Sequence, residues 1–153
     1  MRIRDHFEGS AIDPMIFQLI IEDDEPTDLV ELRMMFEPAY MLLAMQKATA
    51  EDVAAIQAIH EKFEKGVEQG TQTVEEDIAF HLAILHATHN PLVIRIGEMI
   101  LQLFRSAMIK SLRSNPHIAL RDHANILNSF CAKDEQQLKE AVIKSFENWK
   151  TGL

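Results

Sequence analysis

Apolar residues recur at three- and four-residue spacing along most of this chain, which is the period of an amphipathic α-helix. The recurrence runs from Leu29 to Trp149, and Pro, Gly, Asn and Asp interrupt it at short intervals. We find no segment in which apolar and polar residues alternate as they do in a strand. The pattern predicts an all-α fold, an antiparallel helical bundle of six to seven helices joined by short loops.

Capping residues and prolines divide the pattern into elements. The predicted helices begin at Asp28, Thr49, Thr73, Pro91 and Ile118 and after Asp134, and a short helix precedes them over Asp13–Ile21. We expect Pro38 to kink the first long helix, because proline cannot donate to the helical ladder. We therefore divide the chain into an N-terminal segment, residues 1–27, and a helical bundle, residues 28–150.

The stretch from Thr73 to Pro91 is the most informative. Thr73 and Glu76 have the spacing of a capping box, in which each side chain accepts from the backbone N–H of the other residue. The following helix is apolar on nearly every side, which indicates burial inside the bundle. It nevertheless carries Asp77 and His81 four residues apart, hence on one face. A buried carboxylate and imidazole need partners to offset their desolvation.

Other apolar seams also contain polar residues, namely His60, His123 and Ser145. Carboxylate and imidazole groups are ligands for Zn²⁺, Ni²⁺ or Mn²⁺, and helical bundles build metal sites from facing side chains. Spacing alone allows a second interpretation, a simple buried hydrogen bond between Asp77 and His81. For His60 we favour a core histidine that is hydrogen-bonded to a backbone carbonyl.

The remaining histidines and the methionines have simpler interpretations. We expect His86, His89 and His117 to lie on the surface or at helix ends. The methionines predicted to fill the core are Met34, Met35, Met41, Met45, Met99 and Met108.

Charge and composition argue against several classes of function. The 153 residues carry a net charge of −9, which argues against nucleic-acid binding by this segment because phosphate contacts need clustered Lys and Arg. No apolar run is long enough to span a membrane. The single cysteine, Cys131, cannot form an internal disulfide and fits a reducing, cytoplasmic location.

Three motifs in order resemble one known family. Asp28-Leu-Val-Glu-Leu-Arg-Met-Met-Phe-Glu-Pro38 is similar to the helix-opening motif of the FCD domain, the effector-binding C-terminal domain of FadR-subfamily GntR-type transcriptional regulators. Asp77-x-x-Phe80-His81 followed by Asn90-Pro91 resembles its second motif. Asp122-His123-Ala-Asn-Ile126-Leu127 leading to Lys133-Asp134 resembles its third. The resemblance extends over residues 13–149.

The resemblance implies a dimerising helical bundle that binds a small organic acid or sugar acid beside a divalent metal. Carried over, the metal ligands are Asp77, His81 and His123. The position of the family's fourth ligand holds Ser145, a poor ligand, so a water is expected there, or a weaker metal affinity. Ser145 is then expected to donate to a water or to the effector. Arg33 corresponds to a family arginine that faces the effector, and its alternative role is a surface salt bridge with Glu37.

The family also places a basic winged helix-turn-helix domain before the bundle, and residues 1–27 contain no recognition helix. We therefore expect an excised or stand-alone effector domain, a homodimer that meets DNA only through a winged domain absent from this chain, and no membrane partner. Two alternatives remain. A metalloenzyme would use the same ligands to activate water, although no general base is evident beside them apart from the capping residue Glu76. A structural helical module would contain only a hydrogen-bonded polar core.

Overall fold

The chain forms a bundle of helices with no strand in the part described, residues 26–151 of a computed structural model. Side chains are described for residues 27–148, and the predicted short helix Asp13–Ile21 lies outside these residues. The helices are α1 (Pro26–Lys47), α2 (Ala50–Gln69), α3 (Val74–His86), α4 (Pro91–Ser114), α5 (Pro116–Ala132) and α6 (Glu135–Thr151). The predicted all-α class is confirmed.

Most helix boundaries follow from the predicted capping residues. The hydroxyl of Thr49 accepts from the backbone N–H of Asp52, and Asp52 accepts from that of Thr49, so a complete capping box opens α2. Asn90 accepts from two backbone N–H groups at the start of α4, where Pro91 occupies the first turn. The carboxylate of Asp134 accepts from the N–H of Gln137 at the start of α6.

Three boundary predictions need correction. Helix α1 begins at Pro26 rather than Asp28, and α5 begins at Pro116 rather than Ile118, because proline is already suited to a first helical turn. Thr73 accepts from the N–H of Glu76 at 3.2 Å, but Oε2 of Glu76 has no hydrogen-bond partner among the described residues. The capping box at α3 is therefore only half formed.

Helix α3 lies inside the bundle, as its apolar composition predicts. Phe80, Ile84 and Leu85 are fully buried in the main core, which α1, α5 and α6 also line. Helix α3 packs against α1, α2 and α4, while α5 packs against α2, α4 and α6. This arrangement places the polar residues of α3 where several helices meet.

The six methionines that were predicted to fill the core fall into three groups. Met41, Met45 and Met108 are buried as predicted, Met99 is half-buried, and Met35 and Met34 are 78% and 37% exposed. These two residues lie on the outer face of α1. The spacing of apolar residues did not show which face of this helix points inward. None of the helices in residues 26–151 combines the length and the apolar character needed to cross a membrane.

Candidate metal centre

Asp77, His81 and His123 lie together in the interior. Asp77 and His81 are one turn apart on α3, and His123 approaches from α5. Oδ1 of Asp77 lies 2.9 Å from Nε2 of His123 and 3.5 Å from Nε2 of His81. One ligand atom from each residue lies within 4.8 Å of the others, and all three side chains are buried. The structure therefore brings the three predicted metal ligands to one point.

Aromatic packing fixes the orientation of the imidazoles. The His123 ring stacks on Phe80 with centroids 4.1 Å apart and an interplanar angle of 16°, and Phe63 lies 5.0 Å away. The His81 ring stands edge-on to His123, with centroids 5.1 Å apart. Because the core holds these rings, their nitrogens keep a defined direction without a bound ion.

The donor set fits a divalent metal. One carboxylate and two imidazoles are a common ligand combination, and both rings present Nε2 to the same carboxylate. The Nδ1 atoms of His81 and His123 are buried, and neither has a hydrogen-bond partner within the described part of the chain. The simple Asp77–His81 hydrogen bond does not account for the third residue, His123.

Arg33 lies on the inner face of α1. The predicted salt bridge with Glu37 is present, but it is buried and not on the surface. Nε of Arg33 donates to Oε2 of Glu37 at 2.5 Å. The guanidinium carbon lies 4.9 Å from the ring centroid of Phe104 and 5.3 Å from that of Phe146. Cation–π contacts and the ion pair together offset the burial of this charge.

Glu37 is the residue that sequence reasoning undervalued. It is only 2% exposed, and its Oε1 lies 3.5 Å from Nδ1 of His81. A signal was available, because Tyr40, Met41 and Ala44 follow Glu37 at helical spacing and mark its face as the apolar one. The carboxylate of Glu37 therefore lies beside the predicted metal ligands. It belongs to α1 rather than to the helices of those ligands, and it is paired with Arg33.

A cavity of about 60 Å³ adjoins these groups. The predicted site residues that line it are Arg33, Asp77, His81, His123 and Ser145. The hydroxyl of Ser145 donates to the carbonyl of Val142 at 2.6 Å, so in this arrangement it offers the cavity an acceptor and not the predicted donor. Asp122, which the sequence analysis did not single out as a site residue, also lines the cavity and accepts from Asn148 at 2.8 Å.

The pKa values of the two histidines are shifted in opposite directions. Burial opposes charge on both rings, but His81 faces the carboxylates of Glu37 and Asp77, which raise its pKa to about 9. At His123 burial prevails over its contact with Asp77 and lowers the pKa. Burial would raise the pKa of Glu37, yet Arg33 and His81 outweigh it and lower that pKa to about 2. Burial likewise opposes ionisation of Asp77, and the two histidines still bring its pKa well below the usual range. Without metal, the cluster therefore holds its positive charges on Arg33 and His81.

The other histidines among residues 26–151 lie outside the cluster. His60 is half-buried against Phe80, and its Nδ1 has no hydrogen-bond partner among residues 26–151, so the predicted bond to a backbone carbonyl is wrong. His86 and His89 pair on the surface with Glu98 and Asp52, in agreement with the prediction.

The stability of the metal-free protein should depend on pH through His81. Since the folded-state pKa of about 9 exceeds the ordinary value of 6.5, the stabilisation is complete below pH 6.5 and is lost as the pH rises through 9. We expect the free energy of unfolding to fall by roughly 3 kcal/mol over this range. Urea denaturation in the presence of a chelator measures it.

His81→Gln should flatten this dependence, whereas His117→Gln, which replaces an exposed histidine elsewhere, should leave it unchanged. An equally steep decline in both variants would contradict the assignment to His81.

Comparison with known proteins agrees with the fold. Residues 28–148 match the FCD domain family. The chain is 26% identical over 140 residues to the Uxu operon regulator of Haemophilus influenzae, covering 87% of this chain and 53% of that protein. It is 24% identical over 143 residues to the galactonate operon transcriptional repressor of Escherichia coli, covering 89% of this chain and 62% of that protein. The chain thus spans little more than half the length of these relatives.

A solved structure of Streptococcus agalactiae GntR has the same fold, with a TM-score of 0.78 at 22% identity over 95% of this chain and 68% of that one. FCD domains belong to transcriptional regulators rather than to enzymes, which confirms the prediction of a non-enzymatic domain and removes the metalloenzyme alternative. The match covers most of the chain, and the chain belongs to the FCD domain family of GntR-type transcriptional regulators.

Proposed function

We propose that this domain is the effector-sensing and dimerisation domain of a cytoplasmic GntR/FadR-type regulator, and that it binds a small organic acid beside a divalent metal. The observation that carries the proposal is the buried convergence of Asp77, His81 and His123 at a cavity that Arg33 also lines. A merely structural polar core would not need an adjoining cavity with a guanidinium in its wall.

In this proposal Asp77, His81 and His123 hold Zn²⁺, Ni²⁺ or Mn²⁺. A bound ion would supply a positive charge that polarises a ligand oxygen. Ser145 stands where the family's fourth ligand is expected, and its hydroxyl proton is engaged by Val142. A coordination position is thereby left for a water or for an oxygen of the acid.

The charges favour an anionic ligand. With both imidazoles neutral as metal ligands, the two groups that an acid would contact, the divalent ion and the guanidinium of Arg33, are both positive. The buried carboxylates of Glu37, Asp77 and Asp122 offset their charge but leave these two groups as the attractive ones for a carboxylate ligand. Arg33 retains N–H groups beyond those donated to Glu37, since a guanidinium has five donors. One relative is named for the galactonate operon, and galactonate is a carboxylate.

The proposed regulation is thermodynamic linkage. An acid that binds one arrangement of the helices more tightly shifts the population towards it, and this changes how an attached DNA-binding domain is presented. DNA contact is assigned to a separate winged helix-turn-helix domain, because the net charge of −9 does not suit phosphate binding by this one.

The proposed homodimer has a candidate surface on α4. Leu92 is 77% exposed and Ile96 is 47% exposed, and their four-residue spacing puts them on one face. Sedimentation velocity should give a dimer, and Leu92→Glu combined with Ile96→Glu should shift it to monomer. A monomeric unmodified protein would refute the dimer, and dimeric variants would refute this surface.

Metal binding is tested by titrating chelator-treated protein with Zn²⁺. We expect one ion per chain and, for Asp77→Asn, an affinity lower by about 100-fold, because the anionic ligand that both imidazoles face is lost. His89→Gln is the matched control, since it breaks the exposed pair with Asp52. Absence of bound metal in the unmodified protein would refute this part of the proposal.

Acid binding is tested by thermal shift and calorimetry on zinc-loaded protein with galactonate, other sugar acids and short hydroxy acids. An acid that binds should raise the melting temperature, because it binds only the folded state. Arg33→Lys should lower the affinity for that acid at least about tenfold, since lysine cannot make the bidentate contact.

Arg105→Lys, at an exposed arginine paired with Glu75, should have no effect on acid binding. Equal affinity in Arg33→Lys would remove Arg33 from the acid site. No response to any acid in the panel would favour the structural helical module instead.

A further inference from the structure

Glu37 links the metal cluster to helix α1. Its carboxylate is buried, and it contacts a group on each side: Arg33 on its own helix and His81 on α3. The proposed function assigns the metal to Asp77, His81 and His123 and leaves Glu37 without a role. An ionised carboxylate is costly to bury, and its second oxygen, Oε1, receives from Arg33 only a long contact of 3.5 Å from Nη2, which leaves room for a further donor.

The geometry around His81 is that of a ring held between two carboxylates. Nε2 lies 3.5 Å from Oδ1 of Asp77, on the side of the cluster, and Nδ1 lies 3.5 Å from Oε1 of Glu37, on the side of α1. Both separations are ion-pair distances and are longer than a normal hydrogen bond. A small movement of either side chain would shorten one of these contacts.

Metal-binding histidines generally donate the N–H of the nitrogen that does not bind the metal, often to a carboxylate. This second contact fixes the tautomer and the direction of the ring. Glu37 offers such an acceptor to His81. Within the described residues no carboxylate pairs with Nδ1 of His123, and stacking on Phe80 orients that ring instead.

We propose that Glu37 is a positioning residue that accepts the Nδ1–H of His81 and so directs Nε2 of His81 towards the metal. Arg33 holds Glu37 in place by donating to its other carboxylate oxygen, Oε2. Orientation matters more here than in a site with four protein ligands, because Ser145 occupies the fourth position. This inference rests on the metal part of the proposed function.

The competing explanation is that Glu37 acts only as a nearby negative charge. Two substitutions separate the explanations. Glu37→Gln keeps the length of the side chain and removes its charge. Glu37→Asp keeps the charge and withdraws the carboxylate from His81 by one methylene group.

Calorimetric titration with Zn²⁺ alone measures the effect. We expect both Glu37 variants to bind Zn²⁺ about 10- to 100-fold more weakly than the unmodified protein. The matched control is Glu98→Gln, which removes the carboxylate of an exposed glutamate–histidine pair and should retain full affinity. Wild-type affinity in Glu37→Asp would overturn the positioning role, whether or not Glu37→Gln is weakened.

A second measurement is made on the unmodified protein, and a variant serves only to assign its signal. In zinc-loaded protein with ¹⁵N-labelled histidine, NMR should show a slowly exchanging proton on Nδ1 of His81 and none on Nε2. The signal is assigned by its loss in His81→Gln. A proton on Nε2, with Nδ1 bare, would overturn the proposal.

Failure of this inference differs from failure of the proposed function. If the unmodified protein binds no Zn²⁺, the metal centre itself is refuted. If it binds Zn²⁺ and the Glu37 variants bind it equally well, only the positioning role of Glu37 is refuted.

Discussion

Two buried carboxylates, Glu37 and Asp77, set the main constraint on the interior of this protein. An ionised carboxylate in a dry core is tolerated only when positive charge or hydrogen-bond donors surround it. Arg33 provides these to Glu37 from one turn away, and His81 and His123 provide them to Asp77. Helices α1, α3 and α5 must therefore meet at one place, because each contributes groups that the others need.

The aromatic residues around the cluster complete this arrangement. Phe80 and Phe63 pack on His123, while Phe104 and Phe146 flank Arg33. Four helices besides α5 contribute these rings, so the polar cluster and the apolar core form one packed unit. A ligand that bound in the cavity would alter helix packing, since close-packed interiors have little free space to absorb a change. This coupling is what a sensor domain requires.

Asymmetry between the histidines is also a consequence of tertiary contacts. His81 has a carboxylate on each side of its ring and carries the charge of the metal-free state, whereas His123 has one and stays neutral. The two residues belong to the same predicted ligand set, yet they differ in how their second nitrogen is surrounded. Glu37 accounts for this difference, and its place on a third helix explains why ligand spacing on α3 does not reveal it.

Local signals in the sequence determined the helices themselves. Thr49, Asn90 and Asp134 act as caps where they were predicted, and the apolar composition around Phe80 required that α3 be buried. The motifs also brought Asp77, His81 and His123 together as one set, because their residue types suit a metal and their positions fall on inward faces. Tertiary structure alone decided that the Arg33–Glu37 pair is buried, that Met35 faces outward and that the Ser145 hydroxyl points to its own helix. Helical periodicity defines which residues share a face but not which residues of other helices pack against that face. The energetic role of a charged residue depends on these neighbouring groups.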